Sequence, residues 1–248
     1  MEIGKKIRWV RSCLSTNDLA KKMARTGEEE GTVVVAEEQT EGRGTRGRKW
    51  YSPKNKGLYT SVILRPPTPS VSLLPVVGGL AVKDAVFHAL GVRLCLKWPN
   101  DLIGEGRKVG GILCESGFLG NRLHYVIMGI GLNLSHEKKD FPPEIRGQAI
   151  SLKLIKKEPI RMDEILPSLW TSLEHWYSLF LKGEEKKVIK AFQAGSVLPL
   201  HRRITVLTDQ GIFRGVFQGI DTSGNLILEE NGKKLKFFSA QIETIESA

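Results

Sequence analysis

The chain is short of the features that mark several protein classes. It has three cysteines, Cys13, Cys95 and Cys114, and no two of them form a C-x-x-C pair. The five histidines show no ligand spacing, so the pattern carries neither a disulfide framework nor a structural zinc site. Sparse thiols of odd number suit a reducing compartment, where buried structural cysteine is the ordinary role. Long apolar runs are missing as well. The longest uncharged one, Leu73 to Val82, holds a proline and two glycines and is about half of what a membrane span requires. The opening MEIGKKIRWVRS has no apolar h-region, so no secretory signal is expected and cytoplasmic residence is the default. Composition is not extreme either: 41% hydrophobic and 26% charged residues exclude disorder and collagen-like repetition.

What is present is a positive surplus of +10 that is unevenly placed. From Pro199 onward six Lys/Arg meet six Asp/Glu, so the tail is neutral and the surplus lies in residues 1–198. A basic body suits nucleic acid, anionic small ligands or an acidic protein partner, and charge alone does not choose among them.

Periodicity predicts an α+β chain. Ser15-Thr16-Asn17-Asp18 has the form of a capping box, followed by Leu19, Ala20, Met23 and Ala24 on one helical face and a stop at Gly27. Strands are expected at 32–36, 58–64, 92–98, 109–116 and 123–130, the last two joined as a hairpin through 118–121. PPTPS (66–70) breaks the chain, and a helix over 71–90 ends at Gly91. Helical periodicity returns in 161–181 and around 184–194. After Gly195, four short strands separated by glycine-containing turns predict a small β-barrel. The expected division is a body of residues 1–195 and a C-terminal unit of 196–248.

Three segments are candidates for chemistry. In Gly42-Arg43-Gly44-Thr45-Arg46-Gly47-Arg48-Lys49-Trp50, glycines let backbone N–H groups turn toward an anion, and arginines supply forks that match phosphate oxygens. By itself, a solvated basic loop is the commoner meaning of such a segment. Lys97-Trp98-Pro99-Asn100-Asp101 ends a strand in a tight turn, and Lys108 precedes an apolar strand beside Gly110-Gly111. Taken singly these are more often a self-bonded turn and a surface lysine. Gly129-Ile-Gly131-Leu-Asn133 permits close approach by a backbone or a ligand, and a bulge explains it equally well.

The combination and order are more specific than any one of these. Ser15-Thr16-Asn17, Ala36-Glu-Glu-Gln39-Thr-Glu-Gly-Arg-Gly, Lys97-Trp-Pro-Asn-Asp101, Gly106-Arg-Lys108-Val-Gly-Gly-Ile-Leu and Gly129-Ile-Gly-Leu-Asn133 together resemble the biotin–protein ligases over residues 8–135. The resemblance implies a mixed-sheet catalytic core of the biotin/lipoate ligase, class II synthetase-like type, with an SH3-like C-terminal barrel. The N-terminal helix-turn-helix of the family's repressor members is not seen, so the ligase-only type is expected. The implied activity is formation of biotinyl-5′-adenylate from biotin and ATP, with Mg2+, then transfer to one lysine of a biotin carboxyl carrier domain. Neither DNA nor membrane is an expected partner, and family members often form a homodimer through the core sheet.

By resemblance, Ser15, Thr16, Asn17 and Gln39 bind the ureido head. Gly42, Arg43, Gly44 and Thr45 belong to a loop that closes over biotin and the adenylate phosphate, and its glycines predict mobility without ligand. Lys108, with Arg43, is the catalytic cation, flanked by Gly110 and Gly111. Arg43, Arg46, Arg48, Trp50, Asn100, Asp101, Lys108 and Asn133 fall on the ATP side, with Asp101 near the metal. Thr45 departs from the family pattern G-R-G-R-x-x-R, and Arg46 is the neighbour able to substitute. A lipoate or octanoate ligase of the same superfamily is the nearest alternative. A basic nucleic-acid-binding module is an alternative of another class.

Overall fold

Apolar strand residues pack a seven-stranded sheet against helices on its two faces. The computed structural model describes residues 2–68 and 71–245; Pro69 and Ser70 of the expected break, and residues 246–248, lie outside them. Seven strands run β1 (Ile7–Cys13), β2 (Val33–Gln39), β3 (Gly57–Leu64), β4 (Cys95–Lys97), β5 (Asp101–Gly104), β6 (Arg107–Leu119) and β7 (Arg122–Asn133). Their spatial order is β1-β2-β3-β7-β6-β5-β4; β1 and β2 are parallel and every other pair is antiparallel. Helix α1 (Thr16–Arg25) links the parallel pair, as a crossover between parallel strands must.

Successive side chains leave a strand on opposite faces. Val33, Val35, Leu58, Val62, Leu64, Val126, Met128, Ile130 and Leu132 therefore enter one core, against α2 (Leu74–Leu90) and α4 (Met162–Leu181). Val34, Ile63, Tyr125 and Ile127 enter a smaller one, against Ala20 and Ala24 of α1. Helix α2 is buried nearly all round, and Gly91 ends it in the left-handed region (φ 69°), its N–H bonding the Phe87 carbonyl at 2.8 Å. Short α3 (Leu152–Lys156) and α5 (Glu185–Gly195) complete the body.

The C-terminal strands are β8 (Arg203–Thr208), β9 (Gly211–Ile220), β10 (Leu226–Glu230), β11 (Lys233–Phe237) and β12 (Gln241–Ile245). They form one antiparallel sheet in the order β11-β10-β9-β8-β12, five strands where four were expected. Its buried residues, among them Ile204, Phe217, Leu226 and Leu228, are continuous with the main core. The buried Trp98 ties the two sheets together by donating its indole N–H to the Gly224 carbonyl at 2.8 Å.

Four elements escaped the periodicity reading, β12 among them. Strand β1 is an edge that exposes Arg8, Trp9, Arg11 and Ser12, so it lacks a clean apolar alternation. Strand β5 and helix α3 are too short for a period to register. The expected strand at 92–98 narrows to β4: residues 92–94 lie outside the sheet and Trp98 begins the turn that leads to β5.

Candidate functional site

A cleft opens on the α1-facing side of the sheet, where that face stops being apolar. Register places Tyr59, Gly131 and Gly111 in one cross-strand row, Ser61, Gly129 and Leu113 in the next, and Ile63, Ile127 and Glu115 beyond. The glycines are where space is needed. A Cβ on Gly129 would stand 2.3 Å from Asn17 Oδ1, and one on Gly131 would stand 2.6 Å from the Trp50 indole. Neither neighbour fits beside a larger residue.

Ser15, Thr16, Asn17, Gln39, Arg43, Gly44, Thr45, Trp50, Asn100, Lys108 and Gly111, all expected from the sequence, line this cleft. Its floor is hydrogen-bonded throughout. The Thr16 backbone N–H donates to Gln39 Oε1 at 2.8 Å, and Gln39 Nε2 donates to Ser52 Oγ at 2.9 Å. Thr16 Oγ1 lies 3.0 Å from Gln39 Oε1 and 2.8 Å from Ser61 Oγ, and Ser61 Oγ donates to Asn17 Oδ1 at 2.6 Å. The capping box expected at Ser15 does not form: the Ser15 side chain makes no cap bond. Gln39 instead satisfies a free N–H of the first helical turn, and the Asp18 carboxylate turns to Arg43.

Cations stand at the mouth. Arg43 donates both Nη groups to the two Asp18 oxygens at 2.5 Å, a bidentate fork, with Glu115 Oε2 3.7 Å from Nη2. That fork holds the Asp18 carboxyl below the usual carboxylate range and raises the guanidinium. Lys108 Nζ pairs with Asp101 Oδ1 at 2.5 Å and lies 5.5 Å from the Trp50 ring centroid. The indole nitrogen of Trp50 is buried without a hydrogen-bond partner. Asn100 locks its turn onto β6, donating from Nδ2 to the Ile112 carbonyl at 2.7 Å.

The remaining expected residues lie elsewhere. Gly42 is buried behind the loop, its carbonyl accepting from Trp50 N–H at 2.8 Å, which closes residues 42–50 as a hairpin. Gly110 faces the main core, where a Cβ would meet Leu102 and Leu132. Asn133 is a buried strut that donates to the Ile150 carbonyl at 3.1 Å. Arg46 and Arg48 leave the cleft for the C-terminal sheet, donating to Ser239 Oγ at 3.5 Å and Gln241 Oε1 at 2.5 Å. Asp101 is engaged by Lys108, and among the described residues no three His, Cys, Asp or Glu side chains converge as a metal site.

Sequence reasoning missed Ser61, Asp18 and Glu115 as members of the site. A signal existed for two of them. Ser61 is a hydroxyl inside an otherwise buried strand, and Glu115 shares a face with Gly111 and Leu113 by the two-residue period. As a whole the cleft offers a neutral polar floor, an indole wall and two cations. It suits a ligand with an uncharged hydrogen-bonding head and an anionic end.

Two family profiles match the chain: the biotin/lipoate A/B protein ligase family over residues 9–133, and the biotin protein ligase C terminal domain over residues 200–248. The chain is 34% identical over 231 residues to the bifunctional ligase/repressor BirA of Bacillus subtilis, covering 92% of this chain and 71% of that one. It is likewise 34% identical over 225 residues to the biotin–[acetyl-CoA-carboxylase] ligase of Paracoccus denitrificans, with 86% and 90% covered. Among solved structures it resembles the biotin protein ligase from Aquifex aeolicus in complex with biotin and ATP, with a TM-score of 0.83 and 26% identity. That likeness covers 98% of this chain and 100% of the other.

Proposed function

The chain belongs to the biotin/lipoate A/B protein ligase family, and we propose that it is an ATP-dependent biotin–protein ligase. It joins biotin and ATP as biotinyl-5′-AMP, releasing pyrophosphate, and passes the biotinyl group to a lysine of a biotin carboxyl carrier domain of a carboxylase. The observation that carries this reading is a single cleft in which a hydrogen-bonding floor leads to Arg43 and Lys108.

In the first step an oxygen of the biotin carboxylate attacks the α-phosphorus of ATP, and pyrophosphate leaves with the electrons of the broken bond. Two anions must approach, so the chain's contribution is positioning and positive charge. Lys108 sits at the start of β6 and faces the cleft, where its ammonium meets both the carboxylate and the phosphate. Arg43 is neutralised by Asp18 in the resting fork, and a ligand phosphate competes with that carboxylate for the guanidinium. In the second step the carrier amine attacks the acyl carbon and AMP leaves. Ser15, Thr16, Asn17 and Gln39 hold the ureido head, and Trp50 borders the nucleotide.

Asp101 is a single carboxylate already bonded to Lys108, which is not a magnesium cage. Mg2+ is proposed to arrive with the phosphates of ATP. Residues 196–248 are taken as the SH3-like unit. Cytoplasmic residence and a homodimer through the core sheet belong to the same proposal; no helix among the described residues is long and apolar enough to cross a membrane.

Incubation of a purified carrier domain with the protein, biotin and ATP, followed by mass spectrometry, tests the reading. One biotinyl group on one lysine is expected, together with pyrophosphate exchange that requires biotin. Exchange driven by lipoate or octanoate instead would overturn it in favour of the other branch of the superfamily.

A further inference from the structure

Glu115 makes contacts that reach into the cleft although its own side chain does not line it. Its Oε2 accepts from Asn17 Nδ2 at 2.6 Å and its Oε1 from Lys21 Nζ at 2.5 Å. A carboxylate beside an ammonium accepts hydrogen bonds and does not donate them. The amide group facing it is therefore Nδ2, and Asn17 Oδ1 faces the opposite way, against Gly129 and Ser61. Ser61 has one proton. Asn17 Oδ1 has none, so that proton serves the 2.6 Å contact with Asn17. Thr16 Oγ1, with one proton of its own, has Gln39 Oε1 at 3.0 Å as its acceptor, and Gln39 Oε1 accepts the Thr16 backbone N–H as well. The carboxylate, together with the Leu113 carbonyl 3.4 Å from the same Nδ2, thus sets which way the Asn17 amide and the Ser61 hydroxyl point.

We propose that Glu115 is a positioning residue for ureido recognition: it fixes the Asn17 amide so that Oδ1 is presented as the acceptor for a ligand N–H. The inference rests on the biotin reading above. A urea has two N–H donors and one carbonyl acceptor, so a flipped amide would set donor against donor and leave a buried pair unmatched. Glu115 touches no reacting atom and acts through Asn17.

The test uses the full chain, calorimetry with biotin alone, and exchange kinetics. Glu115→Gln is expected to raise the biotin Kd and KM roughly 10- to 100-fold, the usual range for a charge-assisted bond, while kcat changes less than about threefold. Lys21→Ala removes the ammonium paired with Glu115 Oε1 and is expected to leave the biotin Kd within about threefold. The double variant Glu115→Gln/Asn17→Asp exchanges donor and acceptor between the two positions and is expected to recover most of the lost affinity, because an oxygen again faces Ser61. Thermal unfolding checks that each variant is folded, and the double variant decides the matter if Glu115→Gln alone is not. Wild-type affinity in a folded Glu115→Gln protein, or a Lys21→Ala loss of equal size, or a double variant no better than the single, would overturn the positioning role. A wild-type chain that binds no biotin would instead remove the functional reading beneath it.

Discussion

The α1-facing side of the main sheet is two surfaces on the same strands. Where β3 and β7 carry Ile63, Tyr125 and Ile127, the face packs Ala20 and Ala24 and excludes water. Two residues farther along each strand, Ser61 and Gly129 stand in the same orientation, followed by Gly131, and the face becomes a cleft. Backbone, register and covering helix are shared; only side-chain volume and polarity differ. A fully buried isoleucine contributes about 1.5–3 kcal/mol of transfer free energy, and a glycine contributes none. The binding half is thus held open by stability generated in the packed half and in the larger core behind the sheet.

Substitutions that exchange the character of the two halves should separate function from stability. Gly131→Val places a side chain against the Trp50 indole, whose atoms begin 2.6 Å from an added Cβ, and moves it by about an ångström. Biotin-dependent pyrophosphate exchange should fall by at least about a hundredfold, with the protein still folded by circular dichroism. Ile127→Ala should do the reverse, losing about 2–5 kcal/mol in denaturant unfolding while the folded fraction keeps its kcat. If Gly131→Val only destabilises, or Ile127→Ala only inactivates, the division of that face is wrong.

Within the open half, charge should matter more than shape at the mouth. Lys108→Ala is expected to cost about 2–4 kcal/mol of transition-state stabilisation, roughly 30- to 800-fold in adenylate formation by stopped assay, with little change in melting temperature. Thr45 lines the cleft but has no charge, while Arg46 and Arg48 point to the C-terminal sheet. Thr45→Arg should therefore slow adenylate dissociation about ten- to a hundredfold in a chase experiment, since neither neighbour supplies a cation there. An unchanged rate would mean that another group already holds the phosphate.

The smallest effect is expected at the Asp18–Arg43 fork, whose side chains are about 40% exposed. Asp18→Asn should cost no more than about 1 kcal/mol at neutral pH. The Asp18 carboxyl is held below its ordinary 3.8, so its contribution is present above that pH and disappears as the pH falls through the lowered value. Wild type and variant should accordingly converge in stability as the pH falls below 3.8 through the lowered value, as chemical denaturation at a series of pH values will show.

Much of the site is legible in the sequence alone. Ser15, Thr16, Asn17, Gln39, Arg43 and Lys108 were named from short motifs, and all line one cleft. Those motifs are local, and their order along the chain carries the family pattern. The two-residue period puts Glu115 on the cleft face, but its role is not legible there because its partner Asn17 stands 98 residues earlier. Asn133 looked like a ligand residue from its motif, yet its amide is used to hold Ile150. A side-chain amide has the same composition whether it faces a ligand or a backbone carbonyl.

Sequence by itself determined the elements with strong local patterns: the short apolar runs of strands β2, β3, β6 and β7, the apolar helix α2 ending at Gly91, and the train of short C-terminal strands. These follow from local sterics and from burial of every second or every third-to-fourth side chain, which any stretch of chain declares on its own. Tertiary structure alone decided that Gln39 and not Ser15 satisfies the start of α1, and that Arg46 and Arg48 serve the C-terminal sheet. It also decided that one carboxylate on β6 orients the amide facing the cleft. Each of these depends on which atoms the β3–β7–β6 register and the packing of the C-terminal sheet bring within about 3 Å of one another. Hydrogen bonds act only at that range, so their partners exist only once the chain has closed.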